Sequence, residues 1–321
     1  MQDYLSRGHM EVVEDEKDTG VYYLPHHAIV KLSSTTAKTR VVFDGSATSS
    51  SGVSLNDITM RGPTVQSDLY SIILCYRLHS VVLTADVEKM YRQVRMDPAD
   101  CDFQRIVYRS RSNLPLTHYR LLTVTYGTKS APFLATRCLT ELANQVLQEP
   151  EVKRAIKKDS YVDDFISGAT SVKKCIQLYQ NASKMLLGAG IPLRKWCSKS
   201  QEVLNNISAS NTDPTYLLSL NDEDTVSALG LLWQPALDQF KFSSKEWVPV
   251  KHMTKRTLLS YMNRVYDPLG FLTPILIKDK IFMQQLWSLK LDWETHLTAD
   301  LQSRWELFYR SFEQVALFNI P

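Results

Sequence analysis

The sequence is poor in cysteine. Its five residues, Cys75, Cys101, Cys138, Cys175 and Cys197, are odd in number, widely spaced and without a Cys-x-x-Cys. That excludes a disulfide framework and a cysteine zinc site and points to a reducing, intracellular setting. No apolar run approaches the roughly 18 residues that span a bilayer. No internal repeat occurs, and no low-complexity tract beyond 46–54. A strong charge of either sign is also missing: 37 Lys+Arg stand against 34 Asp+Glu, a formal charge of +3. Proteins that clamp a phosphate backbone often carry a larger basic excess, so composition alone makes no case for nucleic acid. Asp3, Glu11, Glu14, Asp15, Glu16 and Asp18 make the first twenty residues acidic, which argues against a secretory or mitochondrial leader.

What is present is ordinary globular composition, 44% hydrophobic and 22% charged, over a length that suggests about two domains. Residues 1–20 read as a polar lead-in. Residues 21–43 are β-like, ending at the Asp44-Gly45 turn. A helix is predicted over about 68–78, with Leu69, Ile72, Ile73 and Tyr76 on one face. Val81-Val82-Leu83-Thr84-Ala85 reads as a buried strand that runs into Asp86. Strands are expected over 103–108 and 119–125. A long helix opens at Ser130, with Pro132 in its first turn, and closes at Pro150. A hairpin carries Tyr161-Val-Asp-Asp164, and an amphipathic helix follows over about 171–187. A second hairpin turns around Pro235 and Asp238. After residue 251 the pattern is helical, interrupted at 267–270 and at Pro274.

The chemistry lies in two carboxylate features. Asp86 ends a buried strand, where an unpartnered carboxylate is costly; alone it also reads as a turn-bonded strand terminus. Asp163 and Asp164 sit between short apolar segments, as at a hairpin tip. Adjacent like charges repel and call for a nearby cation, although a solvated turn reads equally from two residues alone. Together, two strands that deliver carboxylates to one spot make an oxygen-rich site for Mg²⁺. Two such ions, about 4 Å apart, suit phosphoryl transfer. The chain has no Gly-x-Ser-x-Gly elbow, no His-Glu-x-x-His and no Gly-x-x-x-x-Gly-Lys phosphate loop.

Asp86-Val-Glu-Lys-Met-Tyr91, Thr125-Tyr-Gly-Thr-Lys-Ser-Ala-Pro-Phe133 and Tyr161-Val-Asp-Asp164 resemble, in order and spacing, three motifs of reverse transcriptases. Tyr23-Leu-Pro-His-His27, Arg40-Val-Val-Phe-Asp44, Ser54-Leu-Asn-Asp57, Leu193-Arg-Lys-Trp196, Leu229-Gly-Leu-Leu-Trp233 and Asp267-Pro-Leu-Gly270 resemble the BEL/Pao long-terminal-repeat retrotransposons in particular. The resemblance runs from about Tyr4 to the C-terminus. It implies an α+β, right-hand polymerase fold. Fingers would occupy about 21–80 and 95–130, palm about 81–94 and 131–205, the end of the palm with a primer-grip hairpin 206–242, thumb 243–290, and the start of a connection 291–321.

The resemblance implies RNA-directed DNA polymerase activity that depends on two Mg²⁺ ions, for which Mn²⁺ can substitute. Asp86, Asp163 and Asp164 match the metal-binding carboxylates, with Val87 beside the metal and the nucleotide. Tyr91 matches the aromatic gate that excludes a ribose 2′-hydroxyl; without the family it reads as a core aromatic. Lys31 and Arg40 match cations that grip the triphosphate. Tyr126, where retroviral enzymes carry Gln, and Gly127 would lie near the nucleotide. Lys195 resembles the lysine of the motif after the catalytic hairpin. Tyr161, Val162, Gly230, Leu231 and Trp233 match primer and template contacts. Lys199 departs from the clade, which usually has Asn there. Lys251, His252, Lys255, Arg256 and Arg264 would line one thumb face along a duplex, or form a solvated helix face. The implied partners are an RNA or DNA template–primer, deoxynucleoside triphosphates, and RNase H and integrase regions of the same polyprotein, with no membrane. The implied setting is cytoplasmic, in virus-like particles. Two other readings stay open: an inactive remnant that binds nucleic acid, and a peptidase in the C-terminal third, for which no Asp-Thr/Ser-Gly loop occurs after residue 205.

Overall fold

A computed structural model describes residues 1–14, 20–30, 39–145, 149–212, 226–229, 231–242, 252–263, 265–312 and 318–320. Lys31, Gly230, Lys251 and Arg264 lie outside the described residues. The chain separates into two compact units. The first comprises Met1–Ser67, Asp86–Phe165 and Gln177–Arg194; the second comprises Asp68–Ala85, Ile166–Ile176 and Lys195–Pro321.

In chain order the first strands are β1 (Met10–Val12), β2 (His26–Val30), β3 (Thr39–Phe43), β4 (Val81–Val87), β5 (Arg105–Tyr108), β6 (Thr117–Leu121), β7 (Ser160–Tyr161), β8 (Asp164–Ala169) and β9 (Leu193–Ser198). β2 and β3 form an antiparallel ribbon with Ile29 opposite Arg40. A three-stranded sheet has the order β1-β6-β5, and the sheet that carries the carboxylates has the order β7-β8-β4-β9. β4 is interior to that sheet. Val81 to Ala85 are all buried, which is why this strand is a continuous apolar run rather than an alternating one.

Residues 1–14 of the lead-in carry regular structure. Gln2–Ser6 is a short helix, and β1 pairs with β6, Met10 opposite Leu121. Tyr4 and Met10 are buried in one cluster with Leu24, Phe43, Leu55, Ile106 and Leu121. The acidic residues hid two apolar anchors, and strand pairing supplied the order. β5 begins at Arg105, not at residue 103, because Cys101–Gln104 is a 3₁₀ turn. β6 stops at Leu121 because the Gln104 amide replaces the ladder beyond it. Gln104 Nε2 donates to the Thr123 carbonyl at 3.2 Å, and the Thr125 N–H donates to Gln104 Oε1 at 3.2 Å.

The long helix runs from Ala131 to Gln145 and buries Ala131, Ala135, Thr136, Leu139 and Ala143. Pro150 does not close it. It starts a separate helix, Pro150–Lys158, at the position where a missing N–H costs nothing. Pro274 behaves the same way at the start of Thr273–Ser288.

In the second unit, β10 (Val226–Ala228), β11 (Leu231–Gln234), β12 (Gln239–Lys241) and β13 (Asn319–Ile320) form an antiparallel sheet in that order. Asp238 holds the β11–β12 turn through Arg77 (2.6 Å), Lys199 (2.7 Å) and the Trp233 indole N–H (3.1 Å). Helices Lys255–Met262, Thr273–Ser288 and Ala299–Phe312 follow. Leu258, Tyr261, Met283, Leu286, Leu301 and Trp305 share one core there. The described basic residues of the expected thumb face, His252, Lys255 and Arg256, are engaged within the protein. Lys255 is buried with its ammonium 5.2 Å from the Trp293 ring centroid, Arg256 pairs with Glu294, and His252 stacks on His296 at 4.8 Å. No helix among the described residues is long and apolar enough to cross a membrane.

Asp279 lies on the same helix face as Phe282, Met283 and Leu286, and its Oδ1 has no hydrogen-bond partner among the described residues. Burial pushes this carboxyl up to about 7. The folded state therefore holds a proton that the unfolded chain releases near pH 4, and stability drops as pH rises from there to about 7. Asp279→Asn is expected to raise the melting temperature at pH 8 and leave it nearly unchanged at pH 4. The gain is roughly 1–4 kcal/mol, the upper figure being the full shift. Thermal melts of both proteins across pH 4–8 check it.

Candidate active site

β4 emerges from the core at Asp86, which is half-buried. The next residue fixes what lies beside it: the Val87 N–H donates to the Asp163 carbonyl at 2.7 Å. The end of β4 and the β7–β8 hairpin are thus joined at the main chain, with Asp86 and Asp163 on adjacent backbones. Within the hairpin Tyr161 is paired with Asp164, which puts Val162 and Asp163 at the tip. Val162 has φ +52°, a costly conformation for a β-branched residue. Its N–H is held by Gln66 Oε1 at 3.0 Å. Asp163 is exposed and Asp164 half-buried.

The carboxylate oxygens of Asp86 and Asp163 are of the hard donor type that Mg²⁺ takes. Among the described residues, no three His, Cys, Asp or Glu side chains are gathered closely enough to hold a metal ion. Adjacent carboxylates repel, and the hairpin keeps Asp163 and Asp164 on successive residues. The Val87 side chain is buried; its main chain is what meets the hairpin.

Tyr91 lies on the short helix Met90–Gln93 that follows β4, entered through Lys89 at φ +51°. It is half-buried, and its hydroxyl is held above the usual phenol range by burial and then by the charge of Asp163. The gate candidate therefore sits within electrostatic reach of the hairpin carboxylate. Tyr91 and Tyr126 have ring centroids 6.4 Å apart. The Tyr126 hydroxyl is committed inside the protein: it donates to the Val41 carbonyl and bonds the Tyr4 hydroxyl at 3.1 Å. Gly127, at φ +94°, is required by its neighbour, since a Cβ there would lie 2.1 Å from the Phe43 carbonyl oxygen. Asn56 ties the same turn down, donating to the Gly127 carbonyl at 3.0 Å and accepting from the Lys129 N–H at 2.7 Å.

Arg40 is exposed on β3. Lys31 and Gly230 fall outside the described residues. Lys195, at φ +53° in β9, belongs to the second unit. Leu231 and Trp233, expected at the primer, are 4% and 0% exposed. Their side chains are core: Trp233 meets Tyr76 edge-on at 5.6 Å and spends its N–H on Asp238. Alternation along β11 points these two inward. Gln66, Asn56 and Tyr4 were missed. Gln66 and Tyr4 carry no motif; Asn56 lay inside Ser54-Leu-Asn-Asp57, where the capping box of Ser54 and Asp57 orients it.

Residues 36–232, well over half of the chain, match the family profile described as reverse transcriptase (RNA-dependent DNA polymerase). Residues 254–321 match that of the Pao retrotransposon-like RNaseH-like domain; that description is RNase H-like, not peptidase. No curated protein matches the chain in sequence. Among solved structures, a foamy viral protease–reverse transcriptase in complex with double-stranded DNA is similar, with a TM-score of 0.62 and 14% identity. The match covers 98% of this chain and 46% of that one, so the chain spans about half the length of the structure it resembles. At that identity the likeness establishes the polymerase fold, in agreement with the α+β, right-hand expectation.

Proposed function

Because the chain belongs to the reverse transcriptase (RNA-dependent DNA polymerase) family, we propose that it is a nucleotidyltransferase that extends a primer 3′-hydroxyl with deoxynucleotides on an RNA or DNA template. The observation that carries this reading is the Val87–Asp163 main-chain bond, which sets Asp86 beside the Tyr-Val-Asp-Asp hairpin. Asp86 and Asp163 would hold divalent cations, Mg²⁺ with Mn²⁺ as a substitute, and Asp164 would support them. When bound, such cations would help ionise the 3′-hydroxyl and neutralise charge on the triphosphate. The protein's own part is placement. Tyr91 closes the space where a 2′-hydroxyl would go. Val162, held by Gln66, fixes the hairpin tip against the primer end. Arg40, and Lys31 with it, offer charge to the triphosphate, and Lys195 is the candidate proton donor to the leaving pyrophosphate. Template and primer would be held by backbone and shape. RNase H and integrase regions of one polyprotein, in an intracellular particle, complete the proposed setting.

A second reading is a non-catalytic nucleic-acid-binding remnant; it draws on the lack of a three-ligand metal group among the described residues. Primer extension on poly(rA)–oligo(dT) separates the two. The polymerase reading expects dTMP incorporation that needs Mg²⁺ or Mn²⁺ and stops with a chelator. Duplex binding without incorporation under either ion would overturn it in favour of the remnant.

A further inference from the structure

The first dozen residues, polar in sequence, reach the candidate nucleotide gate through a short series of aromatic contacts. Tyr4 is 6% exposed. Its ring is covered by the Arg92 guanidinium at 3.9 Å and meets Phe43 edge-on at 6.1 Å. Its hydroxyl bonds that of Tyr126. A phenol has one proton to give, and the Tyr126 hydroxyl gives its own to the Val41 carbonyl; Tyr4 is therefore the donor and Tyr126 the acceptor. Tyr126 in turn lies 6.4 Å, centroid to centroid, from Tyr91.

The same segment grips the helix that carries Tyr91. Arg92, next to Tyr91, pairs with Asp3 at 2.8 Å and donates to His9 Nδ1 at 3.0 Å; Lys89 stands 3.6 Å from Asp3. Asp3 is held well below the usual carboxylate range by its bond to Arg7, with Arg92 and Lys89 adding to it. Asp3 is half exposed, so these pairs are individually weak. The buried Tyr4 hydroxyl and ring, with an acceptor already committed elsewhere, are the stronger hold.

We propose that Tyr4 is a positioning residue for nucleotide selection: through Tyr126 on one side and Arg92 on the other, it sets where the Tyr91 ring stands. The inference rests on the proposed polymerase activity and on Tyr91 as the gate, and it extends them to a segment outside every recognisable motif. Tyr4 touches no substrate. Its effect would be on the choice between deoxy- and ribonucleotides rather than on turnover.

The test is a double-mutant cycle of Tyr4→Phe and Tyr91→Ala. The readout is the ratio of kcat/KM for dTTP to that for UTP on poly(rA)–oligo(dT). Tyr4→Phe should reduce that ratio by about three- to tenfold, the scale of one lost hydrogen bond, chiefly through KM for UTP. In the Tyr91→Ala background it should change nothing further. A merely structural Tyr4 would lower both substrates alike in both backgrounds, and that result overturns the proposal. So does an unchanged ratio in Tyr4→Phe while Tyr91→Ala relaxes it. If the unsubstituted chain incorporates no nucleotide, the polymerase reading fails first. If Tyr91→Ala leaves the ratio intact, the gate assignment fails and the inference with it. Should Tyr4→Phe not fold, Tyr126→Phe removes the same hydroxyl–hydroxyl bond from its other side and is read the same way.

Discussion

Asp163→Asn should lose primer extension by about a thousandfold or more while the protein keeps its fold. The substitution preserves size and removes one negative charge. The contact that joins the hairpin to β4 is made by the Asp163 main-chain carbonyl, 2.7 Å from the Val87 N–H, so the side chain can change without breaking it. What changes is the hard anionic ligand. An amide oxygen binds Mg²⁺ far less well than a carboxylate, and several kcal/mol of charge stabilisation at the transition state are lost with it. At about 1.4 kcal/mol per tenfold, that is three decades or more. Asp86→Asn should behave alike. Extension within tenfold of the unsubstituted chain, with an unaltered melt, would remove Asp163 from the chemistry.

Gly127→Ala should destabilise the first unit by about 3 kcal/mol or more. Two penalties coincide. The residue sits at φ +94°, which L side chains rarely adopt, and its new methyl would lie 2.1 Å from the Phe43 carbonyl oxygen. That atom is backbone, in a strand pinned by pairing to β2, so it cannot swing aside as a flexible side chain could. The turn would have to move and take with it the Asn56 bonds to Gly127 and Lys129. A fall of several degrees in the melting temperature is expected. A melt within a degree of the unsubstituted protein would mean that the turn is looser than the geometry here.

The parts of the fold legible in sequence are those where one local signal is enough. Val81 to Ala85 is apolar at every position because β4 is covered on both faces, so the strand and its terminal Asp86 could be read directly. The hairpin around Asp163 was equally plain, since two short apolar segments flank two charges. Proline was ambiguous: Pro150 and Pro274 each begin a helix, and a residue that cannot continue one helix is also the residue best suited to start the next. The lead-in was misread because acidic residues outnumber its anchors, and Tyr4 and Met10 acquire meaning only when β1 pairs with the distant β6. The burial of Trp233 was not legible for the converse reason: it follows from the alternation of β11 and from the acceptor that Asp238 offers its indole N–H.

The motifs placed Asp86 and Asp163 near one another in sequence logic, and the main-chain bond from Val87 N–H to the Asp163 carbonyl joins the two backbones. The most direct test is a crystal structure of the chain with a template–primer duplex, a non-hydrolysable deoxynucleoside triphosphate and Mg²⁺. The account predicts that Asp86 and Asp163 would hold Mg²⁺ beside the triphosphate, with the Tyr91 ring at the sugar. A bound nucleotide whose ions touch neither carboxylate would contradict it.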